Sequence, residues 1–121
     1  MTWVRLDDGF SDHPKVLVLP SDAIVLHLAG LCYCARQETD GAIPNHVLTI
    51  LSRFSSTRTK KLAGELVQAR VWEENGTGYI IHDYLDYNPS HKSLEERREK
   101  KRRAGQAGGL AKAKQSARKG G

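Results

Sequence analysis

From Asp22 to about Gln37 almost every position is apolar, and Ile24, Val25, Leu26, Leu28, Leu31 and Tyr33 are spread around the helical wheel. A helix of that character is predicted to lie at the centre of a small domain, with Ser21 as its N-cap and Asp22 at its positive end. His27 within it reads as a satisfied core or boundary residue. Before this helix, Trp3–Leu6 reads as a short strand or extended segment. The stretch DDGFSDHP reads as a turn and Lys15–Leu19 as a helical turn closed by Pro20. After the helix, Asp40-Gly41 marks a tight turn, and Ala42-Ile43 allow a sliver of strand. Pro44 suits the first turn of a helix that points Val47, Leu48 and Leu51 inward and ends near Arg53. A further helix is predicted from Ser56 to Arg70. Val71-Trp72 and Tyr79–Ile81 then flank an Asn-Gly centre as a β-hairpin.

Helix, strand sliver, helix, helix, hairpin is the order of a winged helix-turn-helix, in which the third helix of the set would enter a DNA major groove. The predicted fold is therefore mainly α with a small β-hairpin, over residues 1–89. Tyr84 and Tyr87 in the loop that follows are expected to pack back on the domain. Ser93 and Glu96 fit a capping box, and Glu95–Arg98, Glu96–Lys100 and Glu99–Arg103 are acid-first pairs at helical spacing. Residues 90–104 are thus predicted to be a solvent-exposed basic helix. Residues 105–121, rich in Gly, Ala and Lys, are expected to be disordered.

Charge sharpens this division. The net charge of the 121 residues is +5, yet residues 1–91 hold 8 Lys/Arg against 11 Asp/Glu, and residues 92–121 hold 11 against 3. Such asymmetry points to an anionic partner or to a tail that aids solubility. Within the acidic part, Ser52–Arg70 carries five basic residues (Arg53, Arg58, Lys60, Lys61, Arg70) and one acid, Glu65. On the wheel, Leu62, Leu66 and Ala69 form the buried stripe of this helix. Thr57, Lys60, Lys61, Gly64 and Gln68 fall opposite, with Val67 at the border.

The candidate DNA-contacting residues are accordingly Arg53, Ser55, Ser56, Thr57, Arg58, Lys60, Lys61 and Gln68. The tail cations Arg97, Arg98, Lys100, Lys101, Arg102 and Arg103 would neutralise phosphates without reading sequence. Gly64 at the centre of the outer face costs about 1 kcal/mol relative to alanine. Either close approach to a groove wall or packing on another element would account for it. The wing, EENGTG, has Glu73 and Glu74 and no cation at its tip, so it is a poor minor-groove reader.

Other chemistries find little support. Cys32 and Cys34 project differently on a helix, which disfavours a disulfide, and the five histidines show no zinc-ligand spacing. His82, Asp83 and Asp86 read as part of an acidic loop rather than a metal cluster. No nucleophile–base pair or phosphate-cradling glycine loop is visible, so neither an enzyme, a cofactor nor a metal is expected. Met1–Phe10 lacks an apolar stretch, and Ala23–Cys34 is too short to cross a bilayer, so an intracellular protein with no membrane role is expected.

At TDGAIP and again at LVQARVWEENGTGYIIHDYLDYNPS the sequence resembles the N-terminal winged-helix domain of bacteriophage replication-initiation proteins. These are of the replisome-organiser or DnaD-like type, and the likeness is to short forms from phages of actinobacteria. It covers roughly residues 1–105. It implies origin or operator binding on double-stranded DNA in the cytoplasm of a bacterial host, in association with the nucleoid. Roles in replication initiation or transcriptional regulation follow, often with formation of a homodimer. Similar small phage proteins act instead as recombination directionality factors, so a protein-binding adaptor for an integrase or helicase is the alternative. Arg70 departs from the pattern by standing where such domains commonly carry glycine. No helicase-contacting domain follows, so helicase loading is not among the expectations.

Overall fold

The structure is a computed structural model that describes the backbone of residues 3–120 and the side chains of residues 3–105. It divides into two units, one up to Ser90 and one from His91 onward. The first is helix-rich with a small antiparallel sheet. A 3-10 turn, Phe10–Asp12, leads into α1 (Pro14–Leu17), α2 (Ser21–Gln37), β1 (Ala42–Pro44), α3 (Asn45–Leu51) and α4 (Ser56–Gln68). Then follow β2 (Trp72–Glu74), β3 (Gly78–Ile81) and the single turn α5 (Tyr84–Tyr87). The strand order is β1-β3-β2, both pairings antiparallel, with Ile43 opposite Tyr79 and Trp72 opposite Ile81. This is the winged helix-turn-helix arrangement, with the β2–β3 hairpin as wing.

Several boundaries differ from expectation for local reasons. Pro20, not Ser21, flanks the start of α2: its backbone is extended and its carbonyl accepts the first helical N–H, from Ala23. Pro44 likewise ends β1 and flanks α3 instead of opening it. Of the short strand or extended segment expected from Trp3 to Leu6, the strand does not form. Burial of α2 holds on one side only. Ala23, Leu26, His27, Leu31 and Cys34 are buried, while Val25, Leu28 and Cys32 are exposed, because a domain of this size cannot cover both faces. Tyr84 is buried as expected, but Tyr87 is half exposed.

The core gathers Leu26, Leu31, Ile43, Leu48, Leu62, Leu66, Ile81 and Trp72, the last with no exposed surface. Trp72 donates its indole N–H to Nδ1 of His27 at 2.9 Å and lies against Tyr79 at 5.6 Å between ring centres. Two close approaches fix the sheet. A Cβ on Gly78 would lie 2.2 Å from the Ile43 carbonyl oxygen, so β1 can come this close to β3 at position 78 only because that position has no side chain. A Cβ on Gly30 would lie 2.7 Å from Ile43 Cδ1 and 3.1 Å from the Trp72 ring, so α2 sits directly on the sheet.

The second unit is α6, His91–Gly120. Its 30 residues span about 45 Å at 1.5 Å per residue. The helix starts at His91, so Ser93 lies inside it and does not cap it. Residues 105–120, expected from their composition to be disordered, carry helical backbone, and the side chains beyond residue 105 lie outside the described residues.

Burial lowers the pKa of His27 from its ordinary 6.5 to about 4, and Nδ1 must stay unprotonated to accept from Trp72. The unfolded chain therefore takes up this proton near pH 6.5 and the folded chain only near pH 4. Stability that is complete above pH 6.5 should fall by about 3 kcal/mol as the pH drops toward 4. Urea titrations at pH 7 and pH 4.5 check this. The drop should be smaller in His27→Gln, whose amide oxygen can still accept from Trp72 but does not titrate.

Candidate nucleic-acid interface

The turn between α3 and α4 sets the direction of α4, and a chain of hydroxyls holds it. The Phe54 N–H donates to Ser52 Oγ at 3.1 Å, and Ser52 Oγ lies 2.5 Å from Thr59 Oγ1, which donates to the Ser55 carbonyl at 2.8 Å. Because Thr59 gives its proton to Ser55, Ser52 must give its own to Thr59, so the donors all run one way. Thr59 is buried and Phe54 packs on the core. Ser55 Oγ then accepts the Arg58 N–H at 3.2 Å as N-cap of α4.

α4 buries Thr59, Leu62, Ala63 and Leu66. Ala69, expected in that stripe, is only partly covered, because Leu66 already closes the core and the helix ends at Gln68. The end is a Schellman motif, with Val71 N–H to the Leu66 carbonyl and Arg70 N–H to the Val67 carbonyl, each at 3.0 Å. Arg70 occupies the left-handed position of that motif at φ 62°, where glycine would be unstrained.

The outer face is formed by Thr57, Lys60, Lys61, Gly64 and Gln68, all exposed. No carboxylate among the described residues pairs with Lys60 or Lys61. A Cβ on Gly64 would meet nothing within 4 Å, which removes packing on another element as the reason for a glycine there. Arg53, Ser55 and Ser56 are exposed at the start of the same helix, where the first amides have no intrahelical acceptor. Arg58 departs from the group. Its guanidinium lies 3.0 Å from Asp22 at the start of α2, so its charge is engaged within the fold. Sequence reading missed this pair because Asp22 lies 36 positions away.

The wing is short. Asn75 Oδ1 accepts from the backbone of Thr77 and Gly78, and Gly76 takes φ 83°, which makes a tight uncharged tip. Glu73 and Glu74 are exposed beside it. Glu73 reaches His82 at 3.5 Å, and His82 meets Asp83 at 2.9 Å. Among the described residues no group of three His, Cys, Asp or Glu is placed to hold a metal ion. Burial raises the pKa of the Cys34 thiol above its ordinary value, which leaves it less ionised and less nucleophilic.

On α6 the six cations Arg97, Arg98, Lys100, Lys101, Arg102 and Arg103 are exposed. At 100° per residue they surround the axis and do not form a stripe. Glu99 draws two of them, Arg102 at 2.8 Å and Arg103 at 3.3 Å.

Comparison of the chain with protein-family models, with curated proteins and with solved structures finds no match.

Thr59→Val should lower stability by about 1–2 kcal/mol, since it leaves the Ser52 hydroxyl without its acceptor. It should also loosen the α3–α4 turn. Chemical denaturation gives the first quantity, and faster amide exchange at Phe54 and Arg58 gives the second.

Proposed function

We propose that this protein is a non-enzymatic binder of double-stranded DNA that lays the outer face of α4 in the major groove and uses α6 to neutralise phosphates. The observation that carries this reading is the outer face of α4: two lysines without carboxylate partners on either side of a glycine with empty space above it. A bare helix centre lets the backbone approach a groove wall closely, and Lys60 and Lys61 would reach the phosphates on its borders. Gln68 on the same face has the amide geometry to pair with an adenine edge. Thr57 and the N-terminal amides suit a phosphate. Arg58 stays with Asp22 and supports α4 without contacting DNA.

The resemblance to phage replication-initiation domains gives this activity its setting. We assign the protein to replication initiation or transcriptional regulation in a bacterial host cytoplasm. The acidic wing favours a second reading. With Glu73 and Glu74 exposed and no cation at its tip, the wing would be repelled by phosphate and free to meet a basic protein surface. In that reading the protein is an adaptor for an integrase or a helicase.

Gly64→Ala separates a DNA-facing glycine from an incidental one. It should raise stability by about 1 kcal/mol through helix propensity while weakening binding to a selected duplex at least tenfold. A stabilised variant with unchanged affinity would refute groove insertion of α4.

Lys60→Ala with Lys61→Ala should reduce affinity for the same duplex by about tenfold or more in 0.1 M salt. In the full chain, Arg97→Gln, Arg98→Gln, Lys100→Gln, Lys101→Gln, Arg102→Gln and Arg103→Gln together should weaken all duplexes alike. They should also flatten the plot of log K against log salt by up to about 5 units. Fluorescence anisotropy across a salt series reads both effects. A slope unchanged by the six substitutions would exclude α6 from the contact.

A further inference from the structure

Away from α4 and α6, the most distinctive chemistry of the domain lies in a cleft of about 130 Å³ beneath the leading segment. Leu6 and Phe10 of that segment form one wall, and Leu31, Ile81 and Tyr84 form the others. His27 also lines it, although the residue is only 5% exposed. The Phe10 ring stacks on its imidazole at 5.5 Å and 17°. Because Nδ1 of His27 accepts from Trp72, the neutral ring carries its proton on Nε2. Among the described residues no acceptor meets that N–H. The cleft thus has apolar walls and, in its lining, a donor that no acceptor of the described residues meets.

The rim is mostly positive. Arg5, Lys15 and Arg70 line it, against Asp7 and Asp83, and Asp83 is already held by His82 at 2.9 Å. Lys15 reaches the Arg70 carbonyl at only 3.5 Å, a long bond that a carboxylate can replace. The size limits the ligand. A cavity of about 150 Å³ holds a benzene ring, so this one takes a single ring and not a nucleotide.

We propose that the cleft is a binding site for a small aromatic carboxylate with a hydrogen-bond acceptor opposite the acid group. The acceptor takes the His27 Nε2–H, the ring lies among Phe10, Leu31 and Ile81, and the carboxylate meets Arg5 and Lys15 at the rim. The leading segment is the outer wall. It forms no strand, and the hydrogen bond from Arg5 N–H to Asn88 Oδ1, at 2.9 Å, ties it to the domain. The site is separate from the outer face of α4 and does not depend on DNA binding.

The test uses the full chain and 4-hydroxybenzoate as probe, followed through the Trp72 indole N–H resonance, which reports directly on His27. A saturable shift with a Kd of about 1 mM or tighter is expected. 4-Hydroxybenzyl alcohol, which lacks the charge, should bind about tenfold more weakly, as should the acid to the surface variant Arg5→Met. Leu31→Phe should fill the cleft and abolish the shift, with the remaining amide spectrum showing that it folds. A shift that grows linearly without saturation overturns the site. Equal affinity for the acid and the alcohol overturns its preference for an anion, and undiminished binding in folded Leu31→Phe overturns its location.

Discussion

Trp72 is the largest side chain that the fold hides completely, and its indole N–H needs an acceptor in a place water does not reach. His27 supplies it from α2, 45 positions earlier in the chain. Much of the domain follows from that bond. Burial keeps the imidazole neutral, which leaves Nδ1 able to accept, so α2 can carry a histidine through the core without a buried charge. The bond draws β2 against α2 closely enough that Gly30 has no room for a side chain. It also fixes the chain just after the Schellman end of α4, so α4 is anchored at its C-terminal end by the tryptophan and at its N-terminal end by the Ser52–Thr59 hydroxyls.

Charge is distributed so that the fold and the exposed cations interfere little with each other. Asp22 neutralises the arginine nearest the α2–α4 contact, which leaves the lysines of the outer face as the uncompensated groups on α4. Those lysines sit in the early turns of a helix, where the macrodipole disfavours cations. The fold tolerates this small cost because α4 is held by Leu62, Ala63 and Leu66 packing inward. Acidic residues collect on the wing and on the loop after β3, away from that face in sequence.

The element order was readable from the sequence because each piece is signalled locally. Asp40-Gly41 and Asn75-Gly76 mark turns through residues that accept positive φ, and both occur as such. The alternation of Leu62, Leu66 and Gly64 around α4 assigned its faces. What could not be read depended on distant partners. Nothing near Ile43 says that it will lie opposite Tyr79 and turn a hairpin into a three-stranded sheet. Only a close approach by another strand explains Gly78. Nothing in the sequence singles out Thr59, and it is buried with its hydroxyl against Ser52 across the turn. Arg58 looked available because its partner, Asp22, is distant in the chain.

The encircling cations of α6 impose one more property. Over Arg97–Arg103 six positive charges and one negative charge occupy seven residues, about one net charge per 2 Å of axis, close to the density of opposite sign along a DNA duplex. A rod so charged gathers its own cloud of small anions, and neighbours such as Arg97 and Lys101 repel each other one turn apart. Salt then works in two directions. It relieves the self-repulsion and firms the helix, while it removes the entropy gained by exchanging that cloud for a polyanion. For the polyanion contact proposed for α6, the same spacing of charges would make its own order greatest under the conditions in which that contact is weakest.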